Sequence, residues 1–459
     1  MPEAQTKATL RQYLLEQKDY LVVRSDSAQY LFLADSLRFY KVTGATMNEY
    51  VRLCETGDAA GTFLSEAELT TIKSILTGKD EPEVEAVPAD AGLRPVPSPD
   101  VHDFLILSLT NECNLACKYC FAETTKLRRT MTFETARKAI DAMIERGREN
   151  SEYSIFFFGG EPLTKKALVQ QIADYAFEAI ERKQNGKVRF LINTNATLID
   201  DEIISLFRKY DFTVTVSLDG PRAYHDTNRT YASGKGSFEK VKENALLLKN
   251  NAIKTNIRAT FNPDIRDLVD VFAFLESLEI PYSYAFTINS EYKMNLKETL
   301  FEEDQFSTVE NELRQVADFF YAKIRNGETV YYSGLSQKLS TLEHKMKRRY
   351  ACEAGRKSMT VDEQGNYFAC QNMIPYKKTA LGTVDTGISD ANRQRYQSKN
   401  LETLVACRGC TIRNLCAGGC EVERSNPNVH TMRQMCRLFR MEWQNALYLY
   451  ALLKETKKN

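Results

Sequence analysis

Residues 104–120 read FLILSLTNECNLACKYC, an apolar run that breaks into a polar loop bearing Cys113, Cys117 and Cys120. Three thiols so close together leave a choice of metal. A structural zinc takes four ligands, usually from paired C-x2-C knuckles. A [4Fe–4S] cube can instead take one thiolate on each of three irons and leave the fourth iron for a ligand that is not protein. The apolar run is also the first of a series. YSIFFF (153–158), KVRFLIN (187–193), FTVTVSL (212–218), KTNIRATF (254–261) and YSYAFTI (282–288) follow it. Between them lie helical patterns such as TFETARKAIDAMIERGREN and SFEKVKENALLLKNN, with apolar positions three and four apart. Strands alternating with helices make βαβ units around a parallel sheet. Six units rather than eight predict an α/β fold, an open, partial (β/α)6 TIM-like barrel. Such barrels carry their chemistry on loops at the C-terminal ends of the strands, where the cysteine loop falls.

Three further strand ends carry unusual residues: GGEP (Gly159–Pro162), NTN (Asn193–Asn195) and SLDGP (Ser217–Pro221). Glycines there let backbone approach a ligand closely. One such loop means little; three on one rim beside a cysteine triad point to a site.

The bulk numbers narrow the function. Lys+Arg and Asp+Glu balance at 61 each among 459 residues, without the basic excess of a nucleic-acid binder. The start, MPEAQTKATLRQ, has no apolar signal region, and no uninterrupted apolar stretch approaches a membrane span, so a soluble, cytoplasmic protein with no membrane partner is expected. Eleven cysteines in a long chain without a signal peptide read as metal ligands rather than disulfides. Cys54 lies in the helical pattern MNEYVRLCETG and reads as a small buried side chain.

Residues 79–100, KDEPEVEAVPADAGLRPVPSPD, hold five of the twelve prolines and a run of acids, the composition of a linker. It separates residues 1–78, where YLVVRS, QYLFLAD and LRFYKV predict three short strands and helices follow near 46–55 and 65–76. That is a small winged-helix-like α+β domain, suited to a peptide or protein partner. The barrel is expected over 101–330 and a cysteine-rich domain over 331–459.

The loop Cys113-x3-Cys117-x2-Cys120, with Tyr119 before its last cysteine and GGEP after the second strand, resembles the radical S-adenosylmethionine enzymes over roughly residues 100–300. The resemblance implies that S-adenosylmethionine occupies the open iron and, on reduction, yields a 5′-deoxyadenosyl radical. It implies that Gly159, Gly160 and Glu161 receive the methionyl amino group. Ser217 and Arg229 match polar residues that hold the cofactor's carboxylate or ribose, and Asn193 and Asn195 are further candidate contacts. Cys352, Gly365-x4-Cys370 and Cys407-x2-Cys410-x5-Cys416-x3-Cys420-x15-Cys436 are similar to the SPASM domain of peptide- and protein-modifying members, which holds two auxiliary [4Fe–4S] clusters. By that pattern Cys407, Cys410, Cys416 and Cys436 close the distal cluster. Cys352, Cys370 and Cys420 hold the proximal one, whose fourth ligand is another side chain, water or a substrate thiolate. Three clusters and an electron donor such as a flavodoxin or ferredoxin are therefore expected.

Sulfatase-maturing relatives carry an Asp general base after the G-x4-C cysteine. Gln371 stands there, which takes no proton, so that activity is not expected. The N-terminal unit resembles the leader-recognition element of peptide maturases, which adds an extended leader to a sheet edge. Together the parts resemble sactipeptide and ranthipeptide maturases, which form thioethers in ribosomal precursor peptides. Carbon–carbon cross-linking is the second reading, and a zinc-containing DNA-binding regulator a remote third.

Overall fold

The structure, a computed structural model, describes residues 20–24, 29–34, 36–42, 47–50, 52, 104–120, 128–147, 151–182, 186–287, 301–389, 391–392, 394, 400–424 and 429–456. The expected helices near 46–55 and 65–76 lie largely outside these residues, as do Cys54 and the stretch 79–100.

Three antiparallel strands open the chain: β1 (Tyr20–Arg24), β2 (Gln29–Leu33) and β3 (Arg38–Val42), in the order β1-β2-β3. The barrel follows as β4 (Phe104–Ser108), α1 (Phe133–Arg146), β5 (Glu152–Phe158), α2 (Lys166–Phe177), β6 (Lys187–Thr194), α3 (Asp201–Lys209), β7 (Thr213–Ser217), α4 (Arg222–Asn228), α5 (Phe238–Asn250), β8 (Lys254–Phe261), α6 (Leu268–Ser277) and β9 (Tyr282–Phe286). Strands β4 to β9 pair in parallel in sequence order. The six expected strands thus appear where the apolar runs placed them.

Local chemistry sets these elements. Thr132 caps α1 by accepting from the Thr135 amide at 3.1 Å, and Asp200 caps α3 by accepting from the Ile203 amide at 2.8 Å. On α1 the buried residues Ala136, Ala139, Ile140, Met143 and Ile144 recur every three or four positions and face the sheet. The strands alternate. On β8, Ile257, Ala259 and Phe261 are buried, whereas Asn256, Arg258 and Thr260 are half-buried, so one face packs on helices and the other lines the lumen. Phe157, Phe190 and Phe212 stack beneath the helices with centroids 5.3 to 6.3 Å apart.

The sheet continues past the barrel. β10 (Ser358–Val361) pairs in parallel with β4, Ser358 opposite Phe104, and β11 (Asn366–Phe368), β12 (Gly382–Thr383) and β13 (Gly387–Ile388) extend it antiparallel. Two long helices, α7 (Glu303–Arg325) and α8 (Ser333–Glu343), pack against the C-terminal helix α9 (Val429–Thr456). No described helix is long and apolar enough to cross a membrane.

The N-terminal sheet is docked on the C-terminal region. Phe32, Ala34 and Leu37 share one buried cluster with Ile412, Leu415, Trp443, Ala446 and Leu447, and partly buried Cys410 and Cys416 pack against it. Asn414 Nδ2 donates to the Ala34 carbonyl at 2.9 Å.

Replacing Phe212 by Ala removes the centre of the aromatic stack and should destabilise the barrel by about 3–5 kcal/mol, read as a lowered urea midpoint. An unchanged midpoint would show that the stack carries little of the stability.

Candidate active site

The cysteine loop is held from both sides of the barrel mouth. Asn111 accepts from the Arg129 amide at 2.7 Å, and the Ala116 amide donates to the Thr230 carbonyl at 2.8 Å. The GG pair of β5 meets the loop edge-on: Gly160 N donates to the Thr110 carbonyl at 2.6 Å and Glu161 N to the Glu112 carbonyl at 2.8 Å. A Cβ on Gly159 (φ +141°) would stand 2.4 Å from the Thr110 oxygen, and one on Gly160 2.1 Å from the Glu112 oxygen. The two glycines are thus required by contact with the cysteine loop itself.

Glu161 is buried and its carboxylate is fully engaged. Oε1 accepts from Leu163 N at 3.0 Å and Thr194 Oγ1 at 2.8 Å, and Oε2 from Asn195 N at 2.6 Å. Burial raises its pKa to about 7, against the pull of those three donors. Asn195 continues the frame: its Nδ2 donates to Asn114 Oδ1 at 2.8 Å and lies 3.8 Å from Cys113 Sγ.

A second brace joins Tyr119 and Arg229 through Asp219, a residue the sequence did not single out. Asp219, of SLDG, is completely buried. Its Oδ2 accepts from the Tyr119 hydroxyl and from Arg229 Nε at 2.9 Å, and its Oδ1 from Thr260 N at 3.0 Å. Arg229 also lies 5.3 Å above the Tyr119 ring. Burial opposes the Arg229 charge, but Asp219, Tyr119 and Cys117 together outweigh it and hold the guanidinium pKa well above its ordinary value. Buried His225 takes the Asp219 amide on Nδ1 at 3.3 Å, and desolvation lowers its pKa to about 4.

Cys113, Cys117 and Cys120 face one cavity of about 440 Å³ together with Gly159, Gly160, Glu161, Asn193, Asn195, Ser217 and Arg229. The candidate residues of the first site are therefore brought together. Burial pushes the Cys113 thiol to about 11 and the Cys117 thiol to about 12, Arg229 opposing the second, and each thiol feels the charge of its neighbours. Such a set becomes thiolate when metal charge compensates it, which suits iron–sulfur ligation. Among the described residues no three His, Cys, Asp or Glu side chains converge as on a single ion. A cube takes its thiolates at separate corners, so the chemistry of the donors, with the cavity beside them, fits a cluster and a small-molecule ligand.

The other seven cysteines fall into two groups. Burial raises Cys370 to about 12 and Cys420 to about 11, and both feel Cys352. Burial likewise raises Cys416 to about 12, and it feels Cys436, Cys410 and Cys407. These are the two groups that the resemblance to the SPASM domain implies. Gln371 and Asn372, which follow Cys370, and Val422, two residues after Cys420, line the same cavity as the first triad.

Residues 107–275 match the family profile described as the radical SAM superfamily. The radical SAM cyclopropyl synthase TigE of Paramaledivibacter caminithermalis is 26% identical over 358 residues, 73% of this chain and 72% of that protein. An uncharacterized protein of Methanocaldococcus jannaschii, MJ0907, is 36% identical over 153 residues, and the match spans 33% of this chain and about half, 51%, of that protein. Among solved structures, native anSMEcpe with bound AdoMet superposes with TM-score 0.64 at 21% identity, covering 78% of this chain and 99% of that one. Streptococcus suis SuiB bound to precursor peptide SuiA superposes with TM-score 0.52 at 14% identity, covering 88% and 95%.

Asp219→Ala strands the buried Arg229 charge and should cost about 3–5 kcal/mol, with iron bound by the first triad falling in parallel. Full iron loading in that variant would assign the brace no part in holding the loop. The lowered His225 pKa has a sign: below about 6.5 the unfolded chain takes up a proton that the fold excludes until about 4. Stability should therefore fall as pH drops through that window, and His225→Asn should flatten the fall in chemical denaturation.

Proposed function

Since residues 107–275 match the profile of the radical SAM superfamily, we propose that this chain is a peptide maturase that installs thioether links, from cysteine sulfur to carbon, in a ribosomally made precursor. The observation that carries this reading is the placement of Cys352, Cys370 and Cys420. They form a three-thiol group whose sequence neighbours Gln371, Asn372 and Val422 wall the cavity entered by Cys113, Cys117 and Cys120. A proximal cluster held by three thiolates leaves one iron for a substrate thiolate, beside the space where a carbon would be activated.

When bound, the cluster with S-adenosylmethionine supplies a 5′-deoxyadenosyl radical able to take hydrogen from carbon. The chain does the rest. Cys113, Cys117 and Cys120 hold the cluster; Gly159, Gly160, Glu161, Asn193, Ser217 and Arg229 orient the cofactor; the lumen excludes water. Cys407, Cys410, Cys416 and Cys436 hold a distal cluster on the route to an external electron donor such as a flavodoxin or ferredoxin. The domain of residues 1–78, which contains the sheet β1–β3, binds the leader.

The peptide-bound SuiB structure and the TigE relationship support a peptide substrate. The anaerobic sulfatase-maturating enzyme of Clostridium perfringens is 24% identical over 343 residues, but Gln371 fills the position expected of a general base, which sets that activity aside. The relationship to TigE favours carbon–carbon bond formation as the second reading.

Anaerobic reconstitution should load about 12 irons per chain, three cubes. Each turnover should remove about two hydrogens from the peptide and one alkylatable thiol, and Cys→Ser in the peptide should abolish that link because a hydroxyl is not a thiolate at neutral pH. The same mass loss with every thiol still alkylatable would transfer the assignment to carbon–carbon linkage.

A further inference from the structure

The cavity is lined by two cations with different circumstances. Arg229 is tied to Asp219 at 2.9 Å. Arg258, on the lumen face of β8, has no such partner. Its Nη1 donates to Ser283 Oγ at 3.0 Å, and among the described residues no carboxylate oxygen stands within 4.0 Å of it. Glu442 is the acid whose charge it feels, and Glu442 is committed to Lys338 at 3.3 Å. Burial accordingly lowers the Arg258 pKa, with Tyr332, Glu442 and Tyr284 opposing. A half-buried guanidinium on a cavity wall, without its own counter-charge, is costly, and folds keep one where a ligand completes it.

The position is fixed by the sheet. Arg258 stands between Ser217 of β7 and Ser283 of β9. The residues assigned above to cluster and cofactor come from the β4 loop and from β5, β6 and β7 with the segments that follow them. Arg258 belongs to the remaining wall, made by β8, β9 and the Gln371–Asn372 turn. On that wall too the buried Thr287 hydroxyl has no partner among the described residues.

We propose that Arg258 anchors a carboxylate of the substrate, so that the peptide processed here is acidic at or beside the residue modified. This rests on the peptide-maturase reading. The guanidinium fork donates to both oxygens of a carboxylate, whereas the isosteric amide leaves the charge uncompensated, so the site discriminates between them. The carboxylate has two possible sources, an Asp or Glu side chain or a peptide C-terminus.

The test is a binding measurement without turnover. The full chain, reconstituted with iron and sulfide and saturated with S-adenosylmethionine but not reduced, is titrated calorimetrically with three probes: N-acetyl-aspartate methylamide, N-acetyl-asparagine methylamide and N-acetylglycine. The aspartate probe should bind at least tenfold more tightly than the asparagine probe, and Arg258→Gln should erase that difference while Arg258→Lys keeps part of it. Tighter binding of N-acetylglycine than of the aspartate probe would support the same anchor with a C-terminus as its ligand. Binding to the unmodified chain in which neither the aspartate probe nor N-acetylglycine exceeds the asparagine probe overturns the proposal without any variant. So does an Arg258→Gln protein that keeps its acid preference but loses affinity for S-adenosylmethionine, which would give Arg258 to the cofactor. Because no product is formed, an acid preference found alongside a failed thioether assay would leave this site standing and remove only the reaction assigned above.

Discussion

The site depends on a buried ion pair. Asp219 is fully buried and Arg229 opens only slightly, toward the cavity, and the same carboxylate holds Tyr119, which lies between two cluster-loop cysteines, and the backbone of β8. Four elements are thereby fixed relative to one another: the cysteine loop, the end of β7, the segment after α4 and the next strand. A pair in this position need not add net stability over an apolar substitute. What it contributes is geometry, because a charge without its partner is intolerable there and the elements cannot separate one at a time.

The same logic explains the paired glycines and Glu161. Backbone contact too close for any Cβ presses the β5 turn against the cysteine loop, and the Glu161 carboxylate then gathers the end of β6. The mouth of the barrel is built from loops, yet these loops bond to each other rather than to solvent. A site that must hold reactive chemistry gains from such mutual support, since loops stiffened by their neighbours place ligands as well as strands do.

Much of this was legible in the chain. The six barrel strands appear at the apolar runs, because runs bounded by turn residues report burial directly. The cysteine groups followed from spacing and family resemblance. Other features were hidden by distance along the chain. Tyr119 finds Asp219 across 100 positions, and Asn195 finds Asn114 across 81, which no local pattern records. SMTV at 358–361 is too short to stand out as a strand, and only tertiary pairing with β4 carries the sheet beyond the barrel. Arg258 occupies a polar position in an alternating strand that no motif marks, and the pairing of β8 with β7 and β9 places it on the lumen face.

The docking of the N-terminal sheet has a consequence for how the protein is made. Ala34 is bonded to Asn414, 380 positions later, and the core they share contains Ile412 and Leu415, with Cys410 and Cys416 packed against it and Trp443 and Leu447 supplied by the helix that carries Cys436. A ribosome releases β1–β3 long before α9, so this sheet emerges while its packing partners Trp443 and Leu447 are still unmade. The four-thiol group can close only once Cys436 has been made. Iron delivered to it therefore meets a chain whose first strands already exist, and its site is completed by the pairing of segments 380 positions apart.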